Sequence, residues 1–216
     1  DKCFKIIPDG LPALIFQQEP NLFFDRKGQA LPQLYLYGQY SKYTEHTVSG
    51  YFSVIGVYLQ PTALKTIFGL DAFELNHQNI SLEDIVRDAI LNAISLEEKI
   101  SLISSFFLKQ IERVKNNHKK LVHASTLLQN GKTLKEIQLE MNLSERTLER
   151  IIKQSVGLSP KIFSRIMRFQ EGLNSLRQTN FENFTELAYQ YDYFDQSHYN
   201  REFKEFTGTN PRNFIL

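Results

Sequence analysis

The chain is predicted to fold as an α+β N-terminal domain, a small antiparallel sheet with helices, followed by an all-α domain of two helix-turn-helix units. Three observations carry this. The first sixty residues are short runs rich in Leu, Ile, Val, Phe and Tyr, bounded by Pro, Gly and Asn. After Pro61 the apolar period lengthens from two to three and four. The last hundred residues contain one helical unit twice.

The strand runs are "LPALIFQQ", "QLYLYGQYSKY" and "SGYFSVIGVYLQP". In the middle run, period-2 geometry puts Leu34 and Leu36 on one side and Tyr35 and Tyr37 on the other. Such a sheet is expected to curl into a partial barrel. Helices follow. "PTALKTIFGL" has Pro near its start and Gly69 near its end, and "SLEDIVRDAILNAI" offers Ser81 as an N-cap with Asp84 three residues on. From Ser95, the residues Leu96, Ile100, Ile103, Phe107, Ile111 and Val114 recur at intervals of three and four, one apolar stripe on a long helix. The stripe suits packing on the sheet or pairing with a twin helix in a homodimer.

"KNNHKK", residues 115–120, has no apolar anchor and reads as a linker. It divides the chain into residues 1–114, a sensing or dimerising domain, and residues 121–216. Cutting after His118 gives 11 Lys+Arg against 13 Asp+Glu before it and 14 against 11 after it. The second half is the modestly basic one, as a polyanion partner requires.

Within that half, "TLKEIQLEMNLSERTLERIIKQSVGLSPKIF" and "NFTELAYQYDYFDQSHYNREFKEFTGTNPRNF" superimpose with a small offset. Leu134 and Phe184 open a short helix, with Ile137 and Leu187 three residues on and Met141 and Tyr191 four after that. A polar N-cap follows in each copy, Ser144 or Asp195. The second helix then has inward anchors, Leu148 and Ile152 or Tyr199 and Phe203, and ends in Gly157 and Pro160 or Gly208 and Pro211. Helix, turn and helix is the unit whose second member lies in the major groove of DNA.

The outward residues fit that use. Arg146, Glu149 and Arg150 on the first such helix, and Gln196, Ser197, His198, Asn200 and Arg201 on the second, are left over by the apolar stripes. Gln or Asn pairs bidentately with adenine, Arg with guanine, and a carboxylate accepts from cytosine or repels phosphate. A merely solvated face is the competing explanation, which the duplication and the Gln, Asn and Arg mixture weigh against.

On these residues the chain resembles the AraC/XylS family of bacterial transcription regulators. "LKEIQLEMNLSERTLERIIKQSVGLSPKIF", the linking "SRIMRFQEGLNSL", and "LAYQYDYFDQSHYNREFKEFTGTNPRNF" match its two helix-turn-helix units joined by a long helix, over roughly Lys119 to Leu216. One departure is Asp192, where the family has Gly in a turn expected to be left-handed; Asp tolerates that conformation at a small stability cost. The resemblance implies an operator in double-stranded DNA as partner, read in two adjacent major-groove segments. A linker helix from Pro160 to Leu176 would hold the recognition helices about one turn apart, ~34 Å. It also places Lys161, Lys204, Thr209 and Asn210 at phosphates, contacts that set register more than sequence.

The first half is similar to the family's N-terminal sensor region, often a cupin-like barrel that binds an effector, on "PDGLPALIF" and "IGVYLQPTALKTIFG". Tyr35, Tyr37, Tyr51, Phe52 and Tyr58 could line a pocket for a small apolar or aromatic molecule, although aromatic alternation also serves plain core packing. Alternatively, the N-terminal half serves only for dimerisation or for contact with RNA polymerase or another partner.

An enzyme is not expected. The five histidines, His46, His77, His118, His123 and His198, have no HExxH or paired metal-ligand spacing, and no phosphate-cradling glycine loop occurs, so neither metal nor cofactor is implied. Cys3 is the only cysteine, which excludes an intrachain disulfide and a multi-thiolate zinc site and suits a reducing compartment. No apolar run approaches the roughly 18 residues of a spanning helix, and no basic-then-apolar leader opens the sequence. A cytoplasmic protein without a membrane partner is the expectation, and a start at Asp1 is expected of a processed or trimmed chain.

Overall fold

The computed structural model of the protein describes residues 2–82, 84–113, 118–178 and 183–215. The first part of the chain forms two antiparallel sheets. One has the order β1 (Lys2–Ile6), β5 (Thr44–Val48), β3 (Phe23–Phe24); the other has β6 (Val54–Tyr58), β2 (Ala13–Gln17), β4 (Leu34–Tyr37), β7 (Asn79–Ser81). Each predicted strand run supplies one strand of the second sheet, β2 and β4 at its centre and β6 at an edge. Leu14 pairs with Leu36 and Val57, Ile15 with Tyr35 and Gly56. Alternation then splits the sheet into two faces. Leu14, Phe16, Leu34 and Leu36 join one apolar cluster with Leu64, Ile90 and Ile103 from the helices, while Ile15, Tyr35 and Tyr37 face the other way.

Helices α1 (Ala63–Phe68), α2 (Asp84–Asn92) and α3 (Leu96–Arg113) close that cluster, with a 3-10 helix at Ala72–Leu75. Gly69 ends α1 in the left-handed conformation. Ser81 is not the N-cap of α2: it is the last residue of β7, held opposite Tyr35, and α2 begins only at Asp84. Strand pairing there outweighs the local capping signal. The stripe on α3 is also divided. Ile103 is buried and Phe107 half-buried in that cluster, whereas Leu96, Ile100 and Ile111 stand exposed, beside Leu108 from outside the stripe; Phe106, also outside it, is buried, and Val114 lies outside the described residues.

Residues 115–117 of the expected linker lie outside the described residues, and its last two, Lys119 and Lys120, already belong to α4 (Lys119–Gln129). Six helices follow: α5 (Leu134–Met141), α6 (Glu145–Val156), α7 (Pro160–Arg177), α8 (Phe184–Gln190), α9 (Gln196–Thr207) and α10 (Pro211–Ile215). Their boundaries have chemical causes. Thr133 and Glu136 form a reciprocal capping box on α5, and Ser144, Ser159, Asn183 and Asp195 each cap a following helix through the side-chain oxygen. Asn142 and Asp192 occupy equivalent turns at φ 51 and 55, so the left-handed conformation expected of Asp192 is present in both units. One cluster unites the domain: Ile137, Leu148, Ile152, Phe163, Phe169, Leu187, Tyr199 and Phe203 are all buried in it.

The two parts of the chain touch extensively. Helix α6 packs on α1 and the 3-10 helix. The Asn76 side-chain amide donates to the Gly157 carbonyl, and Gln170 Nε2 donates to the Pro8 carbonyl at 2.6 Å. At Gly10, a side chain would meet Met167 and Phe163 of α7.

Candidate nucleic-acid interface and interdomain cavity

The second helix-turn-helix unit is fastened at its base. Tyr199, Glu202, Phe203, Phe206 and Thr207 form the buried side of α9. Glu202 is 2% exposed yet fully paired: it accepts from Arg165 Nε at 2.7 Å, from an Arg168 terminal nitrogen at 3.1 Å and from the Tyr193 hydroxyl at 2.8 Å. Both arginines come from α7, so a charged network ties this helix to the linker helix. Arg165 also reaches Glu205 at 2.6 Å. Burial, then the Glu202 carboxylate, holds the Tyr193 phenol above its ordinary range, which keeps it a donor.

Opposite that base, Ser197, Arg201 and Lys204 are exposed, flanked by half-buried Gln196, His198 and Asn200. Two of the flanking groups are already engaged. Gln196 Oε1 accepts from the Thr185 hydroxyl at 2.9 Å, leaving its NH2 end as the group able to reach outward. His198 Nδ1 accepts from the Phe194 amide at 3.4 Å, and its ring meets the Tyr193 ring edge-on.

The first unit repeats this layout 51 positions earlier. Arg146, Glu149, Arg150 and Lys153 are exposed on α6, over a base of Leu148, Ile152, Ser155 and Val156. Positions i, i+4 and i+7 share a helix face, which places Arg146, Arg150 and Lys153 in one line and Ser197, Arg201 and Lys204 in the other. The Arg and Lys of each line are thus identical in type and spacing. Lys153 was not among the residues singled out from sequence, although the offset that relates Arg150 to Arg201 relates it to Lys204. Its ammonium lies 5.8 Å from the centroid of the Phe73 ring, on the 3-10 helix of the N-terminal part. Lys161, at the start of α7, shares one groove with His198 and Arg201; Thr209 is half-buried and Asn210 exposed beyond Gly208. Arg146, Glu149 and Arg150 are not in that groove.

A cavity of about 360 Å³ lies between the N-terminal sheets and α7. One wall is the outward face of the four-stranded sheet: Ile15, Gln17, Tyr35, Tyr37, Val54 and Tyr58. Lys5, Phe23 and His46 of the other sheet, and Gln170, Leu173 and Arg177 of α7, also line it, as do Asp9 and Tyr40. Burial pushes the Tyr35, Tyr37 and Tyr40 phenols up, so they remain protonated, and pushes His46 down toward the neutral imidazole. Burial likewise raises the Asp9 carboxyl despite the Leu11 amide that donates to it. Of the five aromatic residues expected at a pocket, Tyr35, Tyr37 and Tyr58 line this cavity and two do not. Tyr51 is 99% exposed, and Phe52 packs edge-on against Phe4 and Phe23. Both precede β6 in irregular chain, where alternation does not govern direction. Lys5, Gln17 and Arg177 carried no local signal, because the fold alone brings them together.

Among the described residues no group of three His, Cys, Asp or Glu side chains is placed to hold a metal, and no helix is long and apolar enough to cross a membrane.

These features define a two-part protein: an α+β half with two small antiparallel sheets and an all-α half with tandem helix-turn-helix units. Residues 139–215 match a family model described as a helix-turn-helix domain, and residues 1–81 match one described as a domain of unknown function. No curated relative matches the chain. Among solved structures, the chain is similar in fold to ToxT from Vibrio cholerae O395, at 12% identity and TM-score 0.51 over 100% of this chain and 94% of that one. It is also similar to ToxT bound to (E)-4-(8-methylnaphthalen-1-yl)but-3-enoic acid, at 12% identity and TM-score 0.52 over 100% and 95% of the two chains.

Proposed function

We propose that the protein is a sequence-specific DNA-binding transcription regulator of the AraC/XylS type, acting in the bacterial cytoplasm. Helices α6 and α9 read adjacent major-groove segments through Arg146, Glu149 and Arg150, and through Gln196, Ser197, His198, Asn200 and Arg201. Lys161, Lys204, Thr209 and Asn210 bind phosphates, and Lys153 joins them as the counterpart of Lys204. The observation that carries this reading is the repeated outward line, Arg150 with Lys153 and Arg201 with Lys204, on two capped helices sharing one core. Arginine and lysine in that line combine base contact with counterion release from DNA.

Selection of bound duplexes from a random library, with Arg146→Ala and Arg201→Ala run beside the native chain, tests it. The expected outcome is a bipartite motif, its blocks about one turn apart, ~34 Å, each blurred by one variant. Arg201→Ala is expected to cost about 1–3 kcal/mol on the selected sequence, and Lys204→Ala to weaken all sequences alike. Equal losses on selected and random DNA for Arg201→Ala would remove its base-reading role; no enrichment from the full chain at low salt would remove the function.

The cavity is the effector site in this reading. Its size and aromatic walls suit a small apolar ligand, and Lys5 and Arg177 suit an acidic group on it. ToxT, similar in fold, has been crystallised with a naphthalenyl butenoic acid, a ligand of that description. Control passes to DNA through α7, which supplies one cavity wall and joins the two recognition helices. The exposed apolar line on α3 adds a homodimer contact between N-terminal halves.

A further inference from the structure

The first turn of α9 holds one side chain whose orientation is set from another helix. Gln196 is the first residue of α9, and its Oε1 accepts from the Thr185 hydroxyl of α8 at 2.9 Å. Thr185 stands in the first turn of α8, and both helix starts favour the negative end of the amide dipole. The Nε2 end is in the opposite situation. It has no partner among the described residues and is not one of their buried unpaired atoms, so it is open to solvent. The first helix-turn-helix unit lacks the arrangement: 51 positions earlier, where the same roles would fall, stand Leu134 and Glu145.

Side chains in the first turn of a recognition helix meet base edges. A free glutamine pairs with adenine because its oxygen accepts from N6 while its nitrogen donates to N7. That pairing needs both ends of the amide turned toward one base. We propose that Thr185 is a positioning residue for base reading: it holds the Gln196 oxygen against α8, so that only the NH2 group faces the major groove and selects guanine. Guanine presents two acceptors side by side, N7 and O6, whereas adenine places a donor beside its N7. This role rests on the DNA-binding reading and deepens it by naming a base, one that the residue type alone would not suggest.

Selection from a random duplex library with the native chain, Gln196→Ala, Thr185→Val and Thr185→Ser tests the role. Thr185 is exposed, and valine keeps its shape while removing the donor; serine keeps the donor. Gln196→Ala should mark its position by flattening one column of the second block. At that column the native chain and Thr185→Ser are expected to favour G·C over A·T about tenfold, and Thr185→Val to shift the ratio about tenfold toward A·T. The first block should be the same for all four proteins, since its unit has no such pair. Placing 7-deazaguanine at the marked position should weaken native binding about fivefold and leave Gln196→Ala unaffected, because the lost atom is the N7 acceptor. An A·T pair there with the native chain, indifference to 7-deazaguanine, or a Thr185→Val motif like the native one would each overturn the role. So would a Gln196→Ala motif with no flattened column, or a loss in both blocks for Thr185→Val. In all of these cases a motif is still recovered; no motif from the native chain would instead remove the DNA-binding reading beneath it. Should Thr185→Val not fold, the native base at the marked column and its response to 7-deazaguanine still decide.

Discussion

Glu202 ties α9 to α7 from within the buried base of the helix. Burying one carboxylate is tolerable only because Arg165, Arg168 and Tyr193 all donate to it, and the two arginines reach it from α7. Removing the carboxylate leaves Arg165 with Glu205 alone and takes from Arg168 its carboxylate partner in a partly buried place. The arginine side chains retain 28% and 27% exposure, so solvent relieves part of the cost. Glu202→Ala is therefore expected to destabilise by about 3 kcal/mol, the low end for breaking a buried pair, and Glu202→Gln by less. Urea unfolding of the full chain measures both. A loss under about 1 kcal/mol for Glu202→Ala would mean that the network is decorative and that packing of Tyr199 and Phe203 alone fixes the helix. Because the same arginines line the groove beside Arg201, the variant should also blur the second block of a selected DNA motif, even where the chain remains folded.

At the scale of elements, the connection after α6 joins the two parts of the chain. Gly157 ends the helix at φ 91, and a Cβ there would sit 2.6 Å from Asn76 Oδ1 and 2.8 Å from the Ala72 carbonyl. Backbone therefore touches backbone between the end of α6 and the N-terminal 3-10 helix. Gly131 offers an internal comparison, with φ 78 and open space around it. Gly131→Ala should cost only the left-handed penalty, about 1 kcal/mol. Gly157→Ala adds a steric conflict that only separation of the two parts relieves. We expect Gly157→Ala to be the more destabilising by at least about 1 kcal/mol in urea unfolding of the full chain. Equal effects of the two substitutions would show that α6 and the N-terminal part slide past one another freely. Glycine at a helix end was legible in the sequence as a stop signal. That it also marks an interdomain contact was not, since nothing local distinguishes Gly157, or Gly208 beside Tyr43, from Gly131 in open space.

For the whole molecule, what the sequence disclosed was set by distance along the chain. The two helix-turn-helix units repeat within about fifty residues, and their caps act over three, so both were readable. So was the split between Leu34 with Leu36 and Tyr35 with Tyr37, a matter of adjacent residues. The cavity was readable only in fragments, because Gln17 and Arg177 meet through the packing of α7 on the sheets. Helix α3 lies between these cases: periodicity located its apolar residues but not which half of them the fold would cover. The uncovered half, Leu96, Ile100, Leu108 and Ile111, surrounds Ser104, and a small residue at that centre allows close approach of a second helix. An apolar line of this length is costly to leave in water, and a second copy of the chain is the partner whose own line matches it. Sedimentation of the full chain at micromolar concentration should show a dimer. Ile100→Glu places a charge in the middle of the line at an exposed position, where stability should change by no more than about 0.5 kcal/mol. Dissociation of the dimer with unchanged melting temperature is the expected result, and weaker binding to a paired operator follows from lost avidity. A native chain that sediments as a monomer with and without DNA would end the role of α3 in assembly and leave the tandem units of a single chain to supply all of the specificity.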